Sequence, residues 1–236
     1  MEEILWRLTD IEYVEGLNGD AQEAEMERKL DMSKFYLVGN NLSVDFVNTW
    51  IRENGAPKEL LESFEDLIAW AARANISDLS QAKALLQDWS GRAKAAQVLK
   101  LALNFRETLR EMVLDAERGA DIRPAVIEAI NSIMKEENGY AEVVRTEEGY
   151  EKRFRADFSD PGRLLAPIAE AAADLLCYGN LAYLKKCEGA DCVLHFYDTT
   201  KNHSRRWCSM AACGNRAKMA AFYQRQSKKQ KRKRSA

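Results

Sequence analysis

The sequence predicts a mainly α-helical body with one small β-hairpin, followed by a small C-terminal module built around four cysteines. Three observations carry this expectation. Apolar residues recur at helical spacing over most of the chain before Lys185. All five cysteines lie beyond residue 176. Charge is also divided: residues 185–236 hold 14 Lys and Arg against 3 Asp and Glu, and residues 1–184 hold 21 against 34. The formal net charge of −2 therefore averages an acidic body of −13 and a basic end of +11. At 236 residues, 46% hydrophobic and 31% charged, the chain can bury a core, which excludes a wholly disordered or collagen-like protein. The longest uncharged runs, residues 35–44 and 175–184, are too short to span a bilayer. The start, Met-Glu-Glu, lacks the basic-then-apolar pattern of a secretory signal, so a cytoplasmic, reducing location is expected.

The elements follow in order. Residues 2–15 suit a short helix broken by 16–20, in an acidic extension taken as residues 1–32. Residues 35–38 read as a short strand ended by Gly39 and Asn40. Leu42, Phe46, Val47 and Trp50 give helical spacing over 42–51, and Asn54 to Pro57 read as a loop. Phe64, Leu67, Ile68 and Ala71 share one face of a helix over 63–74. Asp78 or Ser80 caps the next helix, which runs to about Gly119 with an interruption at Ser90-Gly91. Its stripe is Leu99, Leu103, Leu109, Met112 and Val113. Pro124 suits the first turn of a further helix, ending near Asn138-Gly139. Residues 140–145 and 150–156 flank a turn signal and read as the hairpin. An apolar helix over 164–178 closes a helical domain of residues 33–184. Cys177, in that helix, reads as a buried small hydrophobe.

Cys187, Cys192, Cys208 and Cys213 are spaced C-x4-C-x15-C-x4-C. In a reducing compartment this predicts one tetrahedral Zn2+ held by two thiolate pairs, with two disulfides as the alternative. Four thiolates close the coordination sphere, so the metal is expected to be structural and to stand in for a core that so short a segment cannot build. His195 and His203 lie between the pairs as alternative donors. They are assigned instead to a strand over 193–197 and to a basic loop.

The residues around these cysteines are specific. F-Y-D-x-T-K-N-x-S-R-R-W-C-S-M runs over 196–210, and Cys213-Gly214-Asn215-Arg216 follows. This stretch closely resembles the CGNR zinc-finger family of bacterial proteins. Upstream, F-Y-L-V-G-N-N-L-S-V-D-F-V-N-T at 35–49 looks like the start of the ABATE domain that precedes this finger in the family. The resemblance covers roughly residues 33–226. It implies a stress-induced transcription regulator whose finger binds DNA. The finger is taken as residues 185–226, with a treble-clef-like arrangement of knuckle, hairpin and helix, and the basic tail 227–236 as disordered.

Candidate nucleic-acid contacts are Lys201, Asn202, Ser204, Arg205 and Arg206 in the loop, and Asn215, Arg216, Lys218 and Arg225 on the helix. Lys and Arg neutralise phosphates, and Asn or Arg can reach base edges. Arg216, Met219, Ala220 and Tyr223 share one helix face, read as inward, with Arg216 set to pair with Asp198. Trp207 reads as core packing rather than a base-stacking platform. The six basic residues of 228–234 suit a phosphate clamp, with a solubilising end as the alternative.

In the body, Asp45 and Asn48 lie one helical turn apart. They would either line a polar ligand pocket or, the favoured reading, bond locally and to backbone. Arg106 and Arg110 would either hold an acidic ligand or, again favoured, lie on an exposed face with Glu107 and Glu111. No P-loop or G-x-G-x-x-G is present. With two histidines and a closed metal site, no enzyme is expected. The leading expectation is a zinc-dependent DNA-binding regulator whose helical domain senses a small-molecule ligand or mediates homodimerisation. The alternatives are an RNA- or ribosome-associated zinc protein and a protein-interaction module.

Overall fold

The computed structural model describes residues 30–135, 139–146, 149–156 and 160–234. The helix expected over 2–15 lies outside these residues. Leu30 is already buried and Met32 packs against the core, so the packed body begins ahead of Ser33.

Helix α1 (Leu42–Val47) is short but central, with Ser43 to Val47 all buried. The Asn41 side chain caps it, accepting from the Ser43 and Val44 N–H groups at 2.9 and 3.3 Å. The helix stops six residues in and does not reach Ile51 as its spacing suggested. Trp50–Glu53 (β1) instead pairs antiparallel with Ala56–Glu59 (β2). Asn54 and Gly55, read as part of a loop, are the hairpin turn. Their φ angles of 52° and 82° are the left-handed pair that a two-residue turn requires. Residues 35–38 form no strand. Phe35 N bonds locally to Met32 O, and Val38 O accepts from Arg205 of the C-terminal module.

Helix α2 (Phe64–Arg73) opens on a capping box between Ser63 and Asp66, and α3 (Leu79–Trp89) on one between Asp78 and Gln81. Ser90-Gly91 breaks the chain as expected, with φ of 74° at Gly91. The 25-residue α4 (Ala93–Glu117) then buries Val98, Ala102, Phe105, Leu109, Met112 and Val113. Leu99 and Leu103 sit only partly buried at the margin of that stripe. Pro124 starts α5 (Pro124–Met134). Gly139–Thr146 (β3) and Gly149–Ala156 (β4) pair in the expected hairpin. A 3-10 turn over Pro161–Leu165 leads into α6 (Ala166–Tyr178).

Packing is arranged around α1, which lies against α4 and α6; α2 packs on α3 and α4, and α5 on α4 and α6. The Phe46 ring is fully buried, 4.8 Å from that of Trp70. Two side chains depart from the sequence reading. Arg106 is buried, not exposed: its guanidinium makes two 2.6 Å bonds to the Glu59 carboxylate and one of 3.1 Å to Thr49 Oγ1. Burial would raise the Glu59 carboxyl, but Arg106 holds it below its ordinary range. Cys177 is exposed, because the inward stripe of α6 runs through Ile168, Ala169, Ala172 and Leu175 and leaves position 177 outside it.

The C-terminal module begins with a 3-10 turn over Leu181–Tyr183. It continues as a hairpin of Leu184–Lys186 (β5) and His195–Tyr197 (β6). A π turn (Met210–Gly214) feeds the 20-residue α7 (Asn215–Arg234). The basic tail, expected to be disordered from Ser227, continues this helix to Arg234. Replacing Phe46 with Ala removes the largest apolar group of α1. It is expected to cost about 3–5 kcal/mol of stability, measured by urea unfolding.

A four-cysteine centre fastened to the helical body

Cys187 follows β5 and Cys192 precedes β6, while Cys208 and Cys213 flank the entry to α7. Their four Sγ atoms all lie within 4.8 Å of one another. Cys192 is 3.8 Å from Cys208, and Cys208 is 3.6 Å from Cys213. A disulfide needs about 2.05 Å. A tetrahedral metal with bonds of about 2.3 Å to sulfur needs edges of about 3.8 Å. The geometry therefore fits a metal ion and not two disulfides. The N–H groups of Gly189 and Cys208 point at Cys187 Sγ, at 3.4 and 3.2 Å, and Arg216 donates to Cys213 Sγ at 3.2 Å. These donors stabilise thiolate charge. Gly189 is needed for close approach, since a Cβ there would lie 3.1 Å from both Cys192 Cβ and Cys213 Sγ.

Thiols this close cannot all ionise unaided. The Cys208 contact draws the Cys192 thiol down to about 5 against the effect of burial, and the same contact with burial pushes Cys208 up. A cation lifts that restriction, so binding releases protons. Neither histidine joins the cluster. His203, at φ 45°, places Nδ1 2.8 Å from Asp198 O and stacks on Tyr183 at 3.5 Å. His195 lies on β6, facing a cleft.

The module is bound to the body through the segment 38–48. Asn48 Nδ2 donates to His195 O and Asn48 Oδ1 accepts from His195 N, both at 2.9 Å. Tyr197 N donates to Gly39 O at 2.7 Å, and Asn40 Nδ2 donates to Tyr197 O at 3.1 Å. Asp45, one turn before Asn48, accepts from Gly39 N at 2.7 Å. Burial raises its carboxyl to about 6, against the Gly39 and Val38 amides and the charge of Arg205. Asp45 and Asn48 are thus structural, as the favoured reading had it.

Asp198 is fully buried. It accepts from Lys185 Nζ at 2.8 Å, from Thr200 N and Oγ1 at 3.0 and 2.6 Å, and from Arg205 N at 2.9 Å. Burial alone would raise this carboxyl, but those bonds hold it well below the usual range. Arg216 was expected to pair with Asp198 and does not; the Cys213 sulfur takes its place.

The loop and helix candidates fall into two groups. Arg205 is committed to the fold. It donates to Val38 O at 2.8 Å, to Cys208 O at 2.5 Å and to Trp207 O at 3.0 Å, and its guanidinium lies over the Phe196 ring. Arg206 is exposed but paired with Glu188. Trp207 is partly buried against the core. Lys201, Asn202, Ser204, Asn215, Lys218 and Arg225 are exposed. So are Met219 and Tyr223, at 51% and 63%, so the face of α7 read as inward is not, and Phe222 on the opposite face is exposed as well. Among the described residues the π turn is the main packing partner of α7, whose few apolar residues are too sparse to form a stripe.

Fold and site together define a mainly helical protein bearing a zinc-finger-like module with a four-cysteine centre. The comparison with known families is in accord. The chain belongs to the ABATE family, described as "putative stress-induced transcription regulator", whose profile matches residues 40–179. The CGNR zinc-finger profile matches residues 183–226. No curated protein matches the chain.

Asn48→Ala leaves both backbone groups of His195 unsatisfied in the interior. The variant is expected to lose about 2–4 kcal/mol of stability and to release its metal faster, checked by denaturant unfolding and a chromogenic chelator. Gly189→Ala crowds a ligand sulfur that cannot retreat. It is expected to weaken metal affinity roughly tenfold or more in a chelator competition, with little change in the helical signal.

Proposed function

We propose that this protein is a zinc-dependent DNA-binding transcription regulator. One structural zinc at Cys187, Cys192, Cys208 and Cys213 sets the hairpin against α7, and the C-terminal module contacts DNA. The observation that carries this reading is α7 itself. It holds nine Lys and Arg and no acidic residue over Asn215–Arg234, and its main packing partner is the turn that precedes it. At about 1.5 Å per residue it is about 30 Å long, enough to follow a groove or cross several phosphates. Lys218, Arg225 and the end of α7 neutralise phosphates, while Asn215, Lys201 and Asn202 are placed to reach base edges. In this reading Arg205, whose guanidinium bonds to the carbonyls of Val38 and Cys208, supports the contact surface instead of forming it. The acidic body repels the duplex and confines contact to the module.

In this reading the helical domain supplies regulation, by a ligand or by pairing with a second copy. No helix among the described residues is long and apolar enough to cross a membrane, and a cytoplasmic regulator is the setting proposed. The exposed Phe222 and Tyr223 support a second reading, single-stranded RNA, because unpaired bases stack on such rings.

Fluorescence anisotropy with a randomised DNA duplex tests the proposal. The log of affinity should fall with the log of salt at a slope of about −4 or steeper. Lys218→Ala and Arg225→Ala should each reduce that slope by about 1. Chelation of the metal should abolish binding. Tight binding that ignores salt or survives chelation would overturn the proposal, and preference for single-stranded RNA over the duplex would select the second reading.

A further inference from the structure

A cleft of about 390 Å³ lies where α4, the β1–β2 hairpin and the β5–β6 hairpin meet. Its charged lining is Arg52, Arg110 and Lys186, with His195 beside them and no acidic residue. The rest is apolar and includes Val47, Trp50, Leu114 and Val193. Lys186 has no ion pair among the described residues. Arg110 bonds through Nε to Glu107 and lies over the Trp50 ring, and Arg52 donates to Gly55 O.

His195 is the unusual member. It is only 6% exposed, yet neither ring nitrogen has a hydrogen-bond partner. Glu117 Oε2 lies 3.5 Å from Nε2, beyond ordinary hydrogen-bond length. Burial pushes the imidazole down, Glu117 opposes this, and Lys186 and Arg110 push it down further. A buried polar side chain left without a partner, in a concave and cationic site, is what a bound anion would complete.

We propose that this cleft binds a small organic anion, a carboxylate or phosphate monoester carried on an apolar body. Lys186 and Arg110 hold the charge, the His195 ring donates a hydrogen bond, and Trp50, Leu114 and Val193 cover the apolar part. The size suits a small molecule. A bare backbone phosphate would use the cations but leave the apolar wall idle. The site does not depend on nucleic acid being the partner of α7. It touches the metal module directly, since Lys186 precedes Cys187 and His195 follows Cys192 by three positions.

The test is calorimetric titration of the full-length, zinc-loaded protein with benzoate, phenyl phosphate, inorganic phosphate and benzamide, with the His195 ring followed by NMR. Benzoate or phenyl phosphate should bind saturably at one site and shift the His195 ring signals. Which of the two binds tighter assigns the head group. Inorganic phosphate should bind roughly tenfold more weakly or worse, and neutral benzamide should not bind. Arg110→Gln combined with Lys186→Gln changes only surface side chains. It should weaken the organic anion roughly tenfold or more, with metal content and Tm kept. No saturable binding of either organic anion at millimolar concentration would overturn the proposal. So would benzamide binding as well as benzoate, or unchanged affinity in the double variant. Inorganic phosphate binding as tightly as phenyl phosphate would also overturn it and make the cleft a phosphate contact. None of these outcomes bears on whether α7 binds DNA.

Discussion

The structure depends on one reciprocal contact: the Asn48 carboxamide bonded to both the N–H and the C=O of His195. An amide side chain can satisfy a strand residue in this way only if it projects from a rigid support at the right height. Helix α1 provides that support. Asn41 caps it, Phe46 anchors it in the core, and Asp45 fixes the approaching chain through Gly39. The clamp has a second layer in Tyr197 N to Gly39 O and Arg205 to Val38 O. The module is therefore not an appendage on a linker. Its hairpin is part of the surface that closes the core, with Leu184, Leu194 and Phe196 buried in the same cluster as α1 and α4.

That arrangement divides the work of folding. A metal ion would set the relative positions of four sulfur atoms, which in turn fixes the start of α7. The body fixes the hairpin. Asp198 joins the two, because its buried carboxylate takes bonds from Lys185 before the centre and from Thr200 and Arg205 within the loop. Local and global order are thus hard to lose separately. Helix α7 is the exception. Its main contact is with the π turn that precedes it.

Much of this was legible in the sequence. Capping residue Asp78, the break at Ser90-Gly91, Pro124 and the β3–β4 hairpin each carry local signals that tertiary packing does not override. The four cysteines were legible because their spacing and residue type encode a geometry. The β1–β2 hairpin was missed although Asn54-Gly55 is a strong turn signal, because Trp50 also completed a helical period and Asn54 to Pro57 read as a loop. The burial of Arg106 and the backbone bonds of Arg205 were missed for a common reason. A guanidinium is assigned to the surface by default, and only the fold shows that Glu59, Val38 and Cys208 O come within reach. The inward face of α7 was read from periodicity alone, and periodicity does not show whether anything lies opposite.

Because Asn48 grips the main chain of His195, the joint between body and module places no demand on which side chain stands at position 195. Docking uses the main chain of that residue and leaves its side-chain chemistry physically separable. Over evolution the ring could be exchanged for another group and the cleft it faces retuned, without reassembling the interface. A joint made of backbone contacts leaves the adjoining site free to diversify while the architecture around it stays the same.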